Sequence, residues 1–164
     1  MVQVDVSAEL PDIATRADCE RLVRSFYGRA LHDPMIGWIF TDVAKLDLEE
    51  HVPVITSFWE TMLLGARSYN GGAFAPHAHL HHVSGGLRRP HFERWLHLWR
   101  TTVDELFAGP RADEAKAHAL RVGAAFHRRL QTLPTAEEEA AAATPSGLAI
   151  TQHGGAQGAP RDAA

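Results

Sequence analysis

The stretch that most constrains this chain is an apolar stripe from Phe92 to Phe107. Phe92, Trp95, Leu96, Trp99, Val103, Leu106 and Phe107 recur at the spacing of one helix face, the 3.6-residue period of a buried helix. Gly109-Pro110 then stops the pattern, since glycine ends a helix well and proline cannot extend one. Burying a large aromatic or aliphatic side chain stabilises by about 1.5–3 kcal/mol. Such a stripe therefore needs partner elements, and the rest of the chain supplies more helices.

Thr15 and Asp18 have the spacing of a capping box. The helix they open turns Leu22, Val23, Phe26, Tyr27, Ala30 and Leu31 to one side. Tyr27 lies inside that stripe, so its hydroxyl needs a buried partner; a backbone carbonyl in an ordinary core would serve. Pro34 and Gly37 break the helix. Trp38, Ile39 and Phe40 then form an apolar corner expected to pack inward. Asp47 is a plausible N-cap for the next helix, with Glu49 and Glu50 in its first turn. Its stripe is Leu48, Val52, Ile55, Phe58, Trp59, Met62 and Leu63, and Pro53 predicts a kink or a later start. His51 lies one turn before Ile55; on pattern alone it reads as a partly exposed polar residue. Pro76 predicts the start of a short helix bearing His77, Leu80 and His81, and Pro90 that of the aromatic one. A last helix begins near Asp113, with Ala115, Ala119, Val122, Phe126 and Leu130 on one face, and Ala119 and Gly123 permit close helix approach. No strand-like alternation appears. The chain reads as all-α, with about four main helices.

At 164 residues the chain fits one domain. We expect an N-terminal arm over residues 1–14, a domain over 15–134 and a disordered low-complexity tail over 135–164. In that tail Leu148 and Ile150 are the only large apolar residues, too few to offset the entropy of ordering it. The lone cysteine, Cys19, excludes an internal disulfide. No run approaches the ~18 apolar residues of a membrane span, and the N-terminus lacks a basic-then-apolar signal. A cytoplasmic protein without membrane contact is expected. Of the net charge of −4, −3 falls in the last thirty residues. The body has no basic excess, which disfavours nucleic acid as a partner.

The chemistry concentrates between Tyr69 and Phe92. That stretch holds five of the eleven histidines, and no Asp or Glu occurs between Thr61 and Phe92. His77 and His81 are spaced i, i+4, a zinc-binding spacing. A hydrolytic zinc site also wants a carboxylate, and the position after His77 is Ala78 rather than the glutamate of HExxH. No GxSxG, P-loop or GxGxxG motif occurs either. A flat apolar cofactor held by one axial histidine, haem, is the other reading. Periodicity does not choose it, because Phe26, Phe40, Phe58, Trp59, Trp95 and Trp99 would fill a plain helical core equally well. A haem-free helical interaction module also remains open.

Taken in order, these segments resemble the group III truncated haemoglobins. The resemblance rests on FY at Phe26-Tyr27, DPMIGWIF ending at Phe40, His51, FWETMLLG at Phe58–Gly65 and YNG at Tyr69–Gly71. HxxL at His77–Leu80 and HFERWLHLWRTTVDELF at His91–Phe107 complete it, so that it spans roughly residues 15 to 131. It implies a shortened globin, a two-over-two helical sandwich around haem b (iron protoporphyrin IX), with His77 as the axial iron ligand. It places Tyr27, His51 and Trp95 in the distal pocket and Phe40 and Ile55 against the porphyrin. Phe26, Phe58, Phe74, Leu80 and Trp99 are further pocket candidates. The spacing from His77 to HFERW is a few residues longer than in some relatives, and a shifted alignment makes His81 the ligand. His79, His82 and His91 are expected to face solvent or to cap. The implied function is binding of dioxygen, carbon monoxide or nitric oxide at a five-coordinate haem, as in oxygen transport. The alternative is a nitric-oxide dioxygenase or peroxidase with an external reductase, since no flavin or NAD motif is present.

Overall fold

The computed structural model describes residues 9–144. Among them are six α-helices, one π-helical turn (Ile39–Val43) and no strand.

Helix α1 (Arg16–Ala30) opens on the expected capping box. The Asp18 backbone N–H donates to Thr15 Oγ1 across 3.2 Å, and the Thr15 N–H donates to the Asp18 carboxylate across 2.9 Å. Helix α2 (Leu48–Leu64) begins at Asp47, whose Oδ1 accepts from the N–H groups of Glu49 and Glu50 at 3.0 and 3.2 Å. Pro53 lies inside α2 and does not delay its start. Helices α3 (Phe74–Val83), α4 (Arg89–Leu106), α5 (Pro110–Leu130) and α6 (Ala136–Ala143) follow.

Two helix pairs, α1 with α2 and α4 with α5, pack on one another through α1–α4 and α2–α5 contacts. The apolar stripes meet in the middle. Cys19, Leu22, Val23, Val52 and Val103 are fully buried there, and the rings of Trp59 and Trp99 stack at 4.3 Å. Trp99 also donates its indole N–H to the Ala115 carbonyl, tying α4 to α5. Helix α3 lies outside the two pairs, against α5 and the π-helical turn.

Several boundaries differ from the sequence reading. Helix α5 starts at Pro110 rather than near Asp113, because a residue far away in the chain caps it. Asp12 accepts from the backbone N–H groups of Arg111 and Ala112 at 3.0 and 2.9 Å. Gly109 allows this approach: its φ is +133°, and a Cβ there would fall 2.7 Å from the Asp12 carboxyl carbon. Trp38 does not pack inward with Ile39 and Phe40. It stays 36% exposed and donates its indole N–H to the Met35 carbonyl. Met62 likewise ends exposed, off the buried face of α2. The expectation of disorder from residue 135 meets helix α6, opened by a Thr135–Glu138 capping box. Alanine and glutamate bury little surface but have high helix propensity, which explains how that segment coils while exposed. Residues 1–8 of the expected arm and 145–164 of the expected tail lie outside the described residues.

Candidate functional site

Between the helix pairs and α3 lies a cavity of about 420 Å³ with a largely aromatic and aliphatic lining. Its volume and apolar lining, with a few polar groups, are those of a small-molecule site. Phe26 and Tyr27 reach it from α1, His51, Ile55 and Phe58 from α2, Trp95 and Trp99 from α4, and His77 and Leu80 from α3. Phe40 closes it from the π-helical turn.

On one wall Tyr27 and His51 meet, with the phenol oxygen 2.8 Å from His51 Nε2. This supplies the partner that the buried Tyr27 hydroxyl needs, and it is a side chain rather than the carbonyl of an ordinary core. Two arrangements of the bond exist. With the imidazole proton on Nδ1, the Tyr27 O–H donates to Nε2. With it on Nε2, that N–H donates to the phenol oxygen and frees the phenol hydrogen. Burial keeps both groups neutral: it raises the Tyr27 pKa above the usual phenol range. It also lowers that of His51, with a smaller contribution from the nearby imidazole of His77. Trp95 stands on the same side, held by ring contacts to Phe26 and Trp99. Its indole N–H has no hydrogen-bond partner among the described residues.

On the opposite wall the two rival histidines separate. His77 Nδ1 lies 2.7 Å from the Ala73 carbonyl oxygen. A carbonyl only accepts, so Nδ1 carries the proton and Nε2 is left with a bare lone pair. Burial lowers the His77 pKa, against the raising effect of that hydrogen bond, so the ring favours its neutral form. Phe126 packs against the ring at 4.9 Å. His81 is 3% exposed and does not line the cavity. Its Nδ1 accepts from the Leu87 N–H at 3.1 Å, and its Nε2–H donates to the Leu133 carbonyl at 3.2 Å. Both of its nitrogens are spent on backbone.

No protein-family model matches the chain, and no curated protein matches it either. Its fold is similar to the crystal structure of a group III truncated hemoglobin from Campylobacter jejuni. The TM-score is 0.60 at 24% identity, covering 72% of this chain and 92% of that one. The likeness is one of fold. The all-α architecture built from two packed helix pairs is thus that of a truncated-globin helical sandwich.

In this truncated-globin fold the cavity gathers all but one of the residues that the resemblance implies for the pocket, the rival His81 apart. The exception is Phe74, which is not part of the lining. Its ring packs on Phe126 at 5.4 Å, with the Arg129 guanidinium 3.8 Å from its centre. The phase of α3 explains this. Ala73, Pro76, His77 and Leu80 share the cavity side, while Phe74 and His81 fall about a quarter-turn or more away. His91 caps α4, its Nδ1 accepting from the Arg88 N–H at 2.9 Å, yet it also lines the cavity. His79 is exposed and also belongs to the lining, at the rim, whereas His82 lies outside it. The sequence reading missed the wall that α5 contributes, Val122, Gly123 and Phe126. The periodicity of α5 placed Val122 and Phe126 on a buried face but could not say that a cavity, rather than a neighbour's side chains, would meet them.

Proposed function

We propose that the chain binds haem b in this cavity and uses it to hold a diatomic ligand, dioxygen or the related carbon monoxide and nitric oxide. The observation that carries this reading is the hydrogen bond from His77 Nδ1 to the Ala73 carbonyl. It leaves one neutral imidazole nitrogen unprotonated on the wall of a large apolar cavity, which is what a single protein ligand to a haem iron requires. Among the described residues no three of His, Cys, Asp and Glu gather as a metal site. The donor set thus suits a group that brings its own equatorial ligands.

When bound, the haem supplies an iron with one open position for the diatomic ligand. His77 would hold that iron. Phe26, Phe40, Ile55, Phe58, Leu80 and Trp99 would exclude water from both faces. Tyr27 is the hydrogen-bond donor on the other wall, and the His51 tautomer sets its availability. A proton on His51 Nε2 directs that N–H to the phenol oxygen and releases the Tyr27 hydrogen to the cavity. The indole N–H of Trp95, unpartnered among the described residues, is a second donor. A hydrogen bond to an oxygen bearing partial negative charge contributes about 1.5–3 kcal/mol, roughly tenfold or more in ligand release.

A peroxidase or nitric-oxide dioxygenase supplied by an external reductase is the competing reading. The carbonyl partner of His77 favours the binding protein, because a carboxylate on Nδ1 would raise the basicity of the imidazole and no carboxylate bonds it here. Haem titration of the purified protein tests the proposal. A saturable Soret band at one haem per chain is expected, and no Soret band would overturn it.

A further inference from the structure

Charge is segregated along the chain. Residues 9–60, which build α1 and α2, hold ten Asp and Glu against five Lys and Arg, whereas residues 61–134, which build α3, α4 and α5, hold five against ten. Several of those ten cations are spent on ion pairs, Arg89 with Glu93, Arg94 with Asp33, Lys116 with Asp104 and Arg121 with Glu114. Arg88, Arg128 and Arg129 have no carboxylate in salt-bridge range among the described residues, and all three are exposed.

These three converge on one end of the molecule. Arg88 stands immediately before α4, and Arg128 and Arg129 lie in the last turn of α5. The Gln131 side chain ties the two ends together by donating to the Leu87 carbonyl at 3.1 Å. The Arg129 guanidinium lies 3.8 Å from the centre of the Phe74 ring, at the start of α3. Helix α3 itself carries no carboxylate to offset them.

Two observations say what this end receives. The first is α6, with Glu137, Glu138 and Glu139 in its first turn. Every residue of α6 is exposed, so burial does not hold it in place. It is rooted on α3 through the Leu133 and Pro134 carbonyls, which meet His81 and His82, and the Glu139 carboxylate lies 3.9 Å from His82 Nε2. Bonds from Thr135 hold the Glu138 carboxyl below its usual range, with a smaller pull from the nearby Arg88 and His81. An acidic helix thus already rests against the basic end. The second is a line of rings running inward from it. Phe74, under Arg129, packs on Phe126 at 5.4 Å, and Phe126 packs on His77 at 4.9 Å. Packed rings couple an electron donor to an acceptor far better than a solvent-filled gap does.

We propose that this end, formed by α3, the start of α4 and the end of α5, docks an acidic electron-donor protein, and that α6 occupies part of the surface until the donor displaces it. A flavin on the donor, in its anionic hydroquinone form, loses one electron and becomes the neutral semiquinone. The ferric iron gains that electron and becomes ferrous; no proton moves and no bond forms or breaks. The electron step rests on the haem reading; the docking of an acidic protein does not.

Two measurements test it, with a flavodoxin as the acidic donor. In the first, the full chain as purified is titrated with flavodoxin and followed by amide chemical shifts. Shifts are expected in α3 and at the facing ends of α4 and α5, weakening with added salt. Arg128→Glu should weaken binding roughly tenfold, whereas Arg100→Glu, the same charge change about 18 Å further along α4 than Arg88, should not. Glu137→Gln/Glu139→Gln, which spares the capping Glu138, should tighten it. No binding, shifts confined to other faces, or equal loss in Arg128→Glu and Arg100→Glu would overturn the docking surface. Tighter binding to duplex DNA than to flavodoxin would assign the end to a polyanion and overturn it too. In the second, flavodoxin hydroquinone reduces the ferric haem-loaded protein in stopped flow. Arg128→Glu should slow this roughly tenfold with the Soret maximum unchanged, and a rate equal to wild type would overturn the electron step. If the protein takes up no haem, the haem reading fails, and the titration alone then decides whether this end docks an acidic protein.

Discussion

The two walls of the cavity are built to different standards. The wall of α1 and α2 consists of capped helices of 15 and 17 residues whose inner faces join the buried core. The wall of α3 is a helix of 10 residues with no side-chain N-cap, set between Gly71-Gly72 and Gly85-Gly86, all at positive φ. A helix that short is marginal on its own, so α3 depends on what it touches. One of its two inward histidines, His81, anchors it to the backbone on both nitrogens, while the other, His77, keeps one nitrogen free. The lesson is a division of labour: a rigid wall positions hydrogen-bond donors, and an adaptable wall presents the candidate ligand.

The sharpest break between the walls comes from the histidines. His77→Ala should abolish the five-coordinate ferrous haem spectrum, whereas His81→Ala should retain it. His81→Ala should instead cost about 2–3 kcal/mol of stability in denaturant titration, because it strands the Leu87 N–H and the Leu133 carbonyl. A lost spectrum in His81→Ala would exchange the two assignments.

The rigid side is next. Asp33 is buried, binds the Arg94 guanidinium at 2.7 Å and caps the turn through the Met35 and Ile36 N–H groups. Asp33→Ala should cost about 2 kcal/mol, in line with charge-assisted hydrogen bonds. The bond from Arg94 holds the Asp33 carboxyl below the usual carboxylate range; burial opposes this, and the two backbone N–H bonds reinforce it. A depressed folded pKa gives stability that is complete above the unfolded pKa of about 4 and lost as pH falls through the folded value. The melting-temperature gap between wild type and the variant should therefore narrow below about pH 4; a gap independent of pH would reject the ion pair as its source.

Tyr27→Phe removes the phenol donor and its bond to His51. Dioxygen release should accelerate by roughly tenfold, about 1.4 kcal/mol. An unaltered off-rate would take Tyr27 out of the donor set. The smallest effect is dynamic. Amides of α3 should exchange with solvent faster than those of α1 under native conditions, as expected of an element low in local stability; equal protection would erase the contrast between the walls.

The same contrast governs what the sequence made legible. The rigid pairs were readable because their signals are local: the Thr15–Asp18 box, the Asp47 cap, and the 3.6-residue stripes that bring Phe26, Tyr27, Ile55, Trp95 and Trp99 inward. The features that escaped depend on distant partners. Asp12 caps a helix that begins 98 residues later, and Asp33 pairs with Arg94 across the fold. In α3 the apolar pattern is weak and histidine-rich, so periodicity gave no phase to exclude Phe74 or to rank His77 over His81. The family resemblance alone ranked them, in favour of His77, and the backbone atoms that each imidazole meets add a physical reason for that order.

The most direct test of the central claim is the absorption spectrum of the ferrous protein after reconstitution with haem. The account predicts a five-coordinate ferrous spectrum that is lost in His77→Gly and restored by added imidazole. A His77→Gly protein with an unchanged ferrous spectrum would contradict it.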